Sequence, residues 1–390
     1  MRIIVSGLVG AYPIGGMAWH YLQYLMGLAK LGHDVYYHED TSCWPFNPLE
    51  ECQVSTGEYS AKFINNFLIS YAPELRDKWH YLHLKEQSFG LEYSAFLDIV
   101  RTADVFLNIS GANNIPDCLA PDCIKVFVDT DPGYNQIVLC TRPSWSKFVE
   151  QWCSSVALHD KHFTFAENIH HSDCLVPKVN YTWEITRMPI VLDLWHVPPQ
   201  KAKGSLPWST IMTWDNYKGS LIYNGIEYGS KGQEFEKVIG IPKYVDLPLM
   251  IALGGANAPV ERLAEAGWTV LHGPRATISG EKYQSYVYDS RGEFSVAKNI
   301  YVSMKTGWFS ERSACYLAAG KPVVTQETGF SKVLPTGQGL LSFSSFDEAV
   351  EAIGSVEKNY CKHASAAREL AAEYFDSSKV LTQLIDSVVR

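Results

Sequence analysis

Ile3-Ile-Val-Ser-Gly-Leu-Val9, running into Gly10-Ala-Tyr-Pro-Ile-Gly-Gly16, decides the fold. Residues 3–9 read as an apolar strand, and the glycine-containing stretch after them reads as a tight turn. A helix is expected from about Met17 to Leu31, because Ala18, Leu22, Leu25 and Ala29 share one face at the helical period. Gly32 ends that helix, and Asp34-Val-Tyr-Tyr-His38 opens the next strand. The product is a βαβ unit with a Gly-rich first turn, the start of a doubly wound domain. The spacing is not GxGxxG, so the dinucleotide fingerprint is absent.

Working outward, strands are expected at 105–109, 125–129, 162–165 and 190–194, with helical material across 58–101 and an amphipathic stretch from Glu92 to Ile99. Val197-Pro-Pro-Gln-Lys-Ala-Lys-Gly-Ser205 reads as a linker. The second half restarts with strand 210–213 and loop 214–219. Helix 230–237, strand 249–253, helix 259–266, strand 268–271, helix 311–319 and strand 322–325 follow, with a helix from Asp347. This order implies an α/β protein of two Rossmann-like domains facing across a cleft. The expected division is 1–200, 201–365, and a helical segment 366–390 packing across the junction.

A chain of 390 residues with 46% hydrophobic content suits two packed cores. Its formal net charge of -9 argues against a broad nucleic-acid-binding face but leaves room for a local basic site. No apolar run reaches the length of a membrane span, and no N-terminal signal pattern is visible. Nine cysteines lie scattered without CxxC spacing, which fits reduced thiols in a cytoplasmic protein. Neither Cys118 and Cys123 nor His170-His171 has the further ligands a metal site needs, so no metal is expected.

The stretch from Tyr301 to Val324 carries the strongest chemical signal. A glycine-containing turn feeds a short helix crowded at its start by serines and Arg312, with Lys305 just before it. Free backbone N–H groups and cations at a helix start suit a phosphate or pyrophosphate. Glu293, Lys298, Lys305, Ser310, Arg312 and Ser313 form the candidate phosphate group, Arg312 as a bidentate donor and either lysine as a point charge. The alternative is a capped helix with solvated cations. His20, one turn into the first helix on the side opposite Ala18 and Leu22, is expected to escape burial against the sheet. It could transfer a proton or hold a hydroxyl. Asp129 and Asp131 follow a strand end, where a carboxylate could orient an acceptor, or cap a turn. Glu167 and Asn168 could line the same rim or cap a loop.

Gly15-Gly-Met-Ala-Trp-His20 with Leu31-Gly-His-Asp-Val35 resembles the GGxxxH…GHxV opening of glycosyltransferases of the GT-B architecture, in the family 1/family 4-like group. Ala318-Ala-Gly-Lys-Pro-Val-Val324 resembles their AxG-x-PVV segment, and the resemblance spans essentially the whole chain. It implies a nucleotide diphosphate sugar as donor substrate, without a separate cofactor, and a small-molecule or lipid-like hydroxyl acceptor. It also implies that His20 approaches the transferred sugar and that Gly15 and Gly16 lie near the donor phosphates. The C-terminal domain would then hold the nucleotide. One departure stands out: the two glutamate positions of the retaining family 4 pattern hold Gly307 and Cys315 here. Ribose recognition must be rearranged, and both retention and inversion stay open. The cations could neutralise the leaving group without a metal. The competing readings are a nucleotide-sugar epimerase or hydrolase, using His170, Glu167 and Asp131, and a sugar-nucleotide-binding protein with decayed chemistry.

Overall fold

The computed structural model describes residues 1–215 and 221–390, so the loop expected at 214–219 falls outside the described residues from 216 onward. The chain builds two open sheets in succession. The first contains β1 (Arg2–Ser6), β2 (Asp34–Glu39), β3 (Trp79–His83), β4 (Gln87–Gly90), β5 (Val105–Ile109), β6 (Ile124–Asp129), β7 (Lys161–Thr164) and β8 (Trp183–Ile185). Their spatial order is β8-β7-β6-β5-β1-β2-β3-β4, parallel except for the β3–β4 hairpin at one edge. The second contains β9 (Trp208–Thr213), β10 (Leu249–Gly254), β11 (Thr269–His272), β12 (Gly292–Ser295), β13 (Val323–Gln326) and β14 (Leu340–Phe343). It is parallel throughout, ordered β11-β10-β9-β12-β13-β14.

Strand order reverses between β1 and β5 in one sheet and between β9 and β12 in the other. Connections leave such a point toward opposite faces, and a crevice opens at the C-terminal strand ends. The inner strands are near-continuous apolar runs because both faces are covered, with Ile3, Ile4, Val5, Val105, Phe106 and Leu107 fully buried.

The helices that shape the space between the sheets are α1 (Gly15–Lys30), α2 (Glu58–Tyr71), α3 (Lys231–Phe235), α4 (Asn299–Ser303), α5 (Glu311–Ala318), α6 (Tyr360–Leu370) and α7 (Ser377–Val388). Helix α6 packs on α5 of the second domain, whereas α7 returns to α1 of the first. Gly27 permits that return, since a Cβ there would stand 2.9 Å from the Ser377 Cβ. A second apolar seam joins the domains where Ile300 of α4 and Met304 just after it share a core with Phe127, Ile137 and Val138.

The expected strand at 190–194 is replaced by a single bridge from Ile190 to Asp376 and a 3₁₀ turn over Leu192–Leu194. Ile190 donates to the Phe375 carbonyl (2.6 Å) and accepts from the Ser377 amide (2.9 Å), so the returning chain occupies the positions a sheet neighbour would take. Strands β3, β4, β8, β12 and β14 are absent from the sequence expectation, and the β3–β4 hairpin replaces part of the helical material expected within 58–101. Residues 197–205 contain no helix or strand.

Candidate functional site

The two switch points face one another across a cleft of about 590 Å³. Tyr12, Ile14, Met17, His20, Ser110 and Asp131 line it from the first domain. Lys231, Lys298, Tyr301, Trp308 and the run Ser310 to Arg312 line it from the second.

The phosphate-like features concentrate on the second domain, where Lys231 is the first residue of α3. It is 92% removed from solvent, and among the described residues its ammonium has neither a hydrogen-bond acceptor nor an ion-pair partner. The Trp308 ring lies 6.0 Å from it. Burial, followed by the charge of Arg312, lowers its pKa to about 7. The charges of Glu311 and Glu293 oppose that shift without pairing with the ammonium, and a ligand anion in contact with it would relieve the remaining cost of burial.

Arg312 also lines the cleft, but its guanidinium is largely committed to the protein. Nε donates to Glu293 Oε1 (2.5 Å), one terminal nitrogen to the Ile211 carbonyl (2.6 Å) and the other to Ser295 Oγ (2.6 Å). Glu293 lies behind Arg312, fully buried, so its expected place in a phosphate group is corrected: it is the counter-ion of the arginine. Ser310 is the N-cap of α5, its Oγ accepting from the Arg312 amide (3.2 Å), and remains at the cleft surface. Ser313 is fully buried below that surface with its hydroxyl unpartnered.

From the first domain His20 enters the cleft with only 8% of its surface exposed. The expected escape from burial is overturned because α1 is enclosed on nearly all sides, by its own sheet, by α7 and by the second domain. Burial holds the imidazole pKa below its ordinary value, opposed by the charge of Glu311 across the cleft. Among the described residues Nε2 has no hydrogen-bond partner. Asp131 accepts from Lys298 Nζ (2.7 Å) and Tyr301 Oη (2.6 Å), both from the opposite domain, so it ties the domains at the cleft edge. Asp129 is fully buried and accepts from the Asp131 amide, Asn135, Gln136 and Thr164. It organises the loop after β6 and does not face an acceptor.

Other expected residues lie elsewhere. Lys305 is exposed, pairs with Asp173 at 3.8 Å and does not line the cleft. Glu167 pairs with Arg187 beside a separate cavity that also includes His170, so these two groups do not join Asp131. Burial raises the Glu167 pKa to about 7 despite that pair. Gly15 and Gly16 pack against the second domain: the Gly15 amide donates to the Thr277 carbonyl (2.8 Å), and an added Cβ would stand 2.7 Å from Tyr283 Cβ. They bring the domains together, while Tyr12, Ile14 and Met17 form the wall that faces the cleft.

Asn168 donates to the Lys305 carbonyl (2.7 Å), beside Gly307. Gly307 has φ 80°, and a Cβ there would stand 2.5 Å from the Asn168 backbone nitrogen. A glutamate is therefore excluded at this position by backbone contact. Gly307→Ala should destabilise the protein by at least about 1–2 kcal/mol from the left-handed backbone alone, with thermal unfolding as the measurement; an unchanged midpoint would refute both the backbone strain and the close Asn168 contact. Cys315 is buried in the core, 2% exposed. Glu311, in the first turn of α5, is the carboxylate that reaches the cleft instead.

Sequence reasoning missed Lys231 and passed over Glu311. The available signal for the first was Tyr228-Gly-Ser-Lys-Gly232, a glycine-bounded helix start with a lysine inside it. Among the described residues no group of three or more His, Cys, Asp or Glu side chains is placed to hold a metal.

No protein-family model matches this chain, and no curated protein matches it by sequence. Solved structures match by fold. An α-glucosyltransferase in complex with UDP-glucose and DNA containing an abasic site aligns with TM-score 0.61 at 12% identity, covering 100% of both chains. HepE of Anabaena, in complex with UDP and glucose, gives 0.53 at 9% identity, covering 100% of this chain and 99% of that one. AviGT4, a glycosyltransferase involved in avilamycin A biosynthesis, gives 0.51 at 13% identity, covering 100% and 97%. The chain has the GT-B fold of these glycosyltransferases: two Rossmann-like domains whose switch points share one cleft.

Proposed function

We propose that this protein transfers a sugar from a nucleotide diphosphate sugar to a hydroxyl-bearing acceptor. The observation that carries the reading is Lys231: a buried ammonium facing the cleft at a helix start, beside Arg312, that makes no ion pair or hydrogen bond among the described residues. A diphosphate fits that position, and the charge that grows on it as the glycosidic bond breaks is stabilised by fixed cations. This charge arrangement supports transfer without a metal, and chelation with EDTA should leave the rate unchanged. Glu311 is placed to receive ribose or sugar hydroxyls that Gly307 and Cys315 cannot.

His20 acts on the sugar side in this reading. Its lowered pKa keeps the imidazole neutral near pH 7, and the unpartnered Nε2 is available to a hydroxyl or to a moving proton. His20→Ala is expected to lower kcat by about 10²-fold or more with donor affinity retained. A drop in affinity alone would move His20 from chemistry to binding. Met17 and Tyr21, apolar surfaces on the first-domain face of the cleft, favour a small or lipid-like acceptor. One protein of this fold is held with DNA, but the net charge of -9 here favours an uncharged acceptor over a duplex.

The direct test is a thermal-shift screen against nucleoside diphosphates and their sugar conjugates, starting with UDP-glucose. One conjugate should raise the melting temperature more than its free nucleotide, because it binds the native state alone. No shift with any of them would refute the reading. Analysis of products without acceptor distinguishes transfer from epimerisation or hydrolysis, for which Glu167 and His170 lie in the wrong cavity.

A further inference from the structure

The loop between β1 and α1 forms one wall of the cleft, and within it the amides of Val9, Gly10 and Ala11 bond to side chains rather than to backbone. Glu39, the last residue of β2, is fully buried, and its Oε2 accepts the Gly10 amide at 2.6 Å while Oε1 accepts the Ala11 amide at 2.6 Å. Tyr37 donates its hydroxyl to the same carboxylate (2.6 Å) and accepts the Val9 amide (3.0 Å). From the other side Ser60 of α2 donates to the Gly10 carbonyl (2.7 Å). The carboxylate fits so closely that a Cβ on Gly10 would stand 3.1 Å from Glu39 Oε2.

This clamp is mechanically continuous with the cleft wall. The Ala11 carbonyl accepts the Phe46 amide (2.8 Å), and Phe46, Tyr12 and Ile14 all line the cleft. Three residues beyond Tyr12, the Gly15 amide bonds to Thr277 of the opposite domain. Fixing Val9 to Ala11 thus sets both the aromatic wall and one point of domain contact.

We propose that Glu39 is a positioning residue of the cleft, holding the wall of Tyr12, Ile14 and Phe46 where the sugar of a nucleotide-sugar donor packs. The second clause rests on the glycosyl-transfer reading. Cations on the second domain would hold the nucleotide whatever the state of this wall, so the sugar contact alone should depend on Glu39.

Two measurements on Glu39→Gln test it, with Tyr37→Phe as a milder variant that keeps the aromatic packing. Glutamine keeps the length but sets an NH₂ group against one of the two amides. In hydrogen exchange of the unliganded protein, the Val9–Ala11 amides should exchange about 10-fold faster or more, as for loss of a buried hydrogen bond, while β9 and β10 keep their protection. In calorimetry, UDP-glucose affinity should fall about tenfold, or 1.4 kcal/mol, and UDP affinity by less than about twofold. Unchanged exchange in both variants overturns the clamp. Equal losses for UDP and UDP-glucose, or no loss for either, overturn its role at the sugar. If the parent binds neither compound, the nucleotide-sugar reading fails and the sugar role falls with it; the exchange measurement then decides the clamp alone.

Discussion

Lys231→Met is expected to remove nucleotide-sugar binding while leaving the protein as stable as the parent, or more so. A hydrogen bond to a charged partner contributes about 1.5–3 kcal/mol, so affinity for UDP-glucose should fall by roughly 10–150-fold. Calorimetry on both proteins measures the loss, and equal affinities would sink the diphosphate assignment. Stability should move the other way because the ammonium is buried and makes no ion pair among the described residues. The unfolded lysine titrates near 10.5 and the folded one near 7. Below pH 7 both states carry the proton and the burial cost is fully present; it disappears as pH rises through 10.5. The gain from methionine should therefore be greatest in acid and vanish in strong base.

The same group gives ligand binding a defined pH dependence. A bound diphosphate favours the ammonium form, so affinity is level below pH 7 and falls above it, by at most about tenfold per unit. UDP-glucose is the suitable probe, since its diphosphate has no proton to lose in that range. In Lys231→Met the slope should disappear. A parent slope of the opposite sign would show that the anion meets another group.

Lys231 also marks where sequence reading stopped. The opening βαβ unit and most of the alternation of strands and helices were legible because they rest on local periodicity, whereas the β3–β4 hairpin was not. The cleft was legible in outline, through His20, Ser310 and Arg312, because strand ends and helix starts are places where ligands gather. What periodicity could not supply was the second domain's position over α1. That contact buries His20 and turns Gly15 and Gly16 into packing glycines. Asp129 and Asp131 look equivalent in sequence, yet one is wired into its own loop and the other into the opposite domain. Pairing across long separations, such as Glu293 with Arg312 or Asn168 with Lys305, leaves no signature in a single chain.

Arg312→Met is expected to be the most destabilising single change in the cleft. Its partner Glu293 is fully buried with Oε2 already unpartnered, and the methionine would leave the whole carboxylate without its cation. Removing one member of a buried pair costs about 3–5 kcal/mol, and denaturant unfolding of the variant reads that loss directly. The cost comes from the stranded charge, so Glu293→Gln added to Arg312→Met should recover most of it, whereas two independent defects would add. A double variant as unstable as the sum would refute the ion-pair account. The rescued protein then separates structure from binding. Three of the arginine's N–H groups serve Glu293, Ile211 and Ser295, so its phosphate contact, if made, uses those that remain. UDP-glucose affinity in the double variant should fall less than in Lys231→Met. A larger fall would place the principal phosphate contact on Arg312 and reverse the order assigned to the two cations.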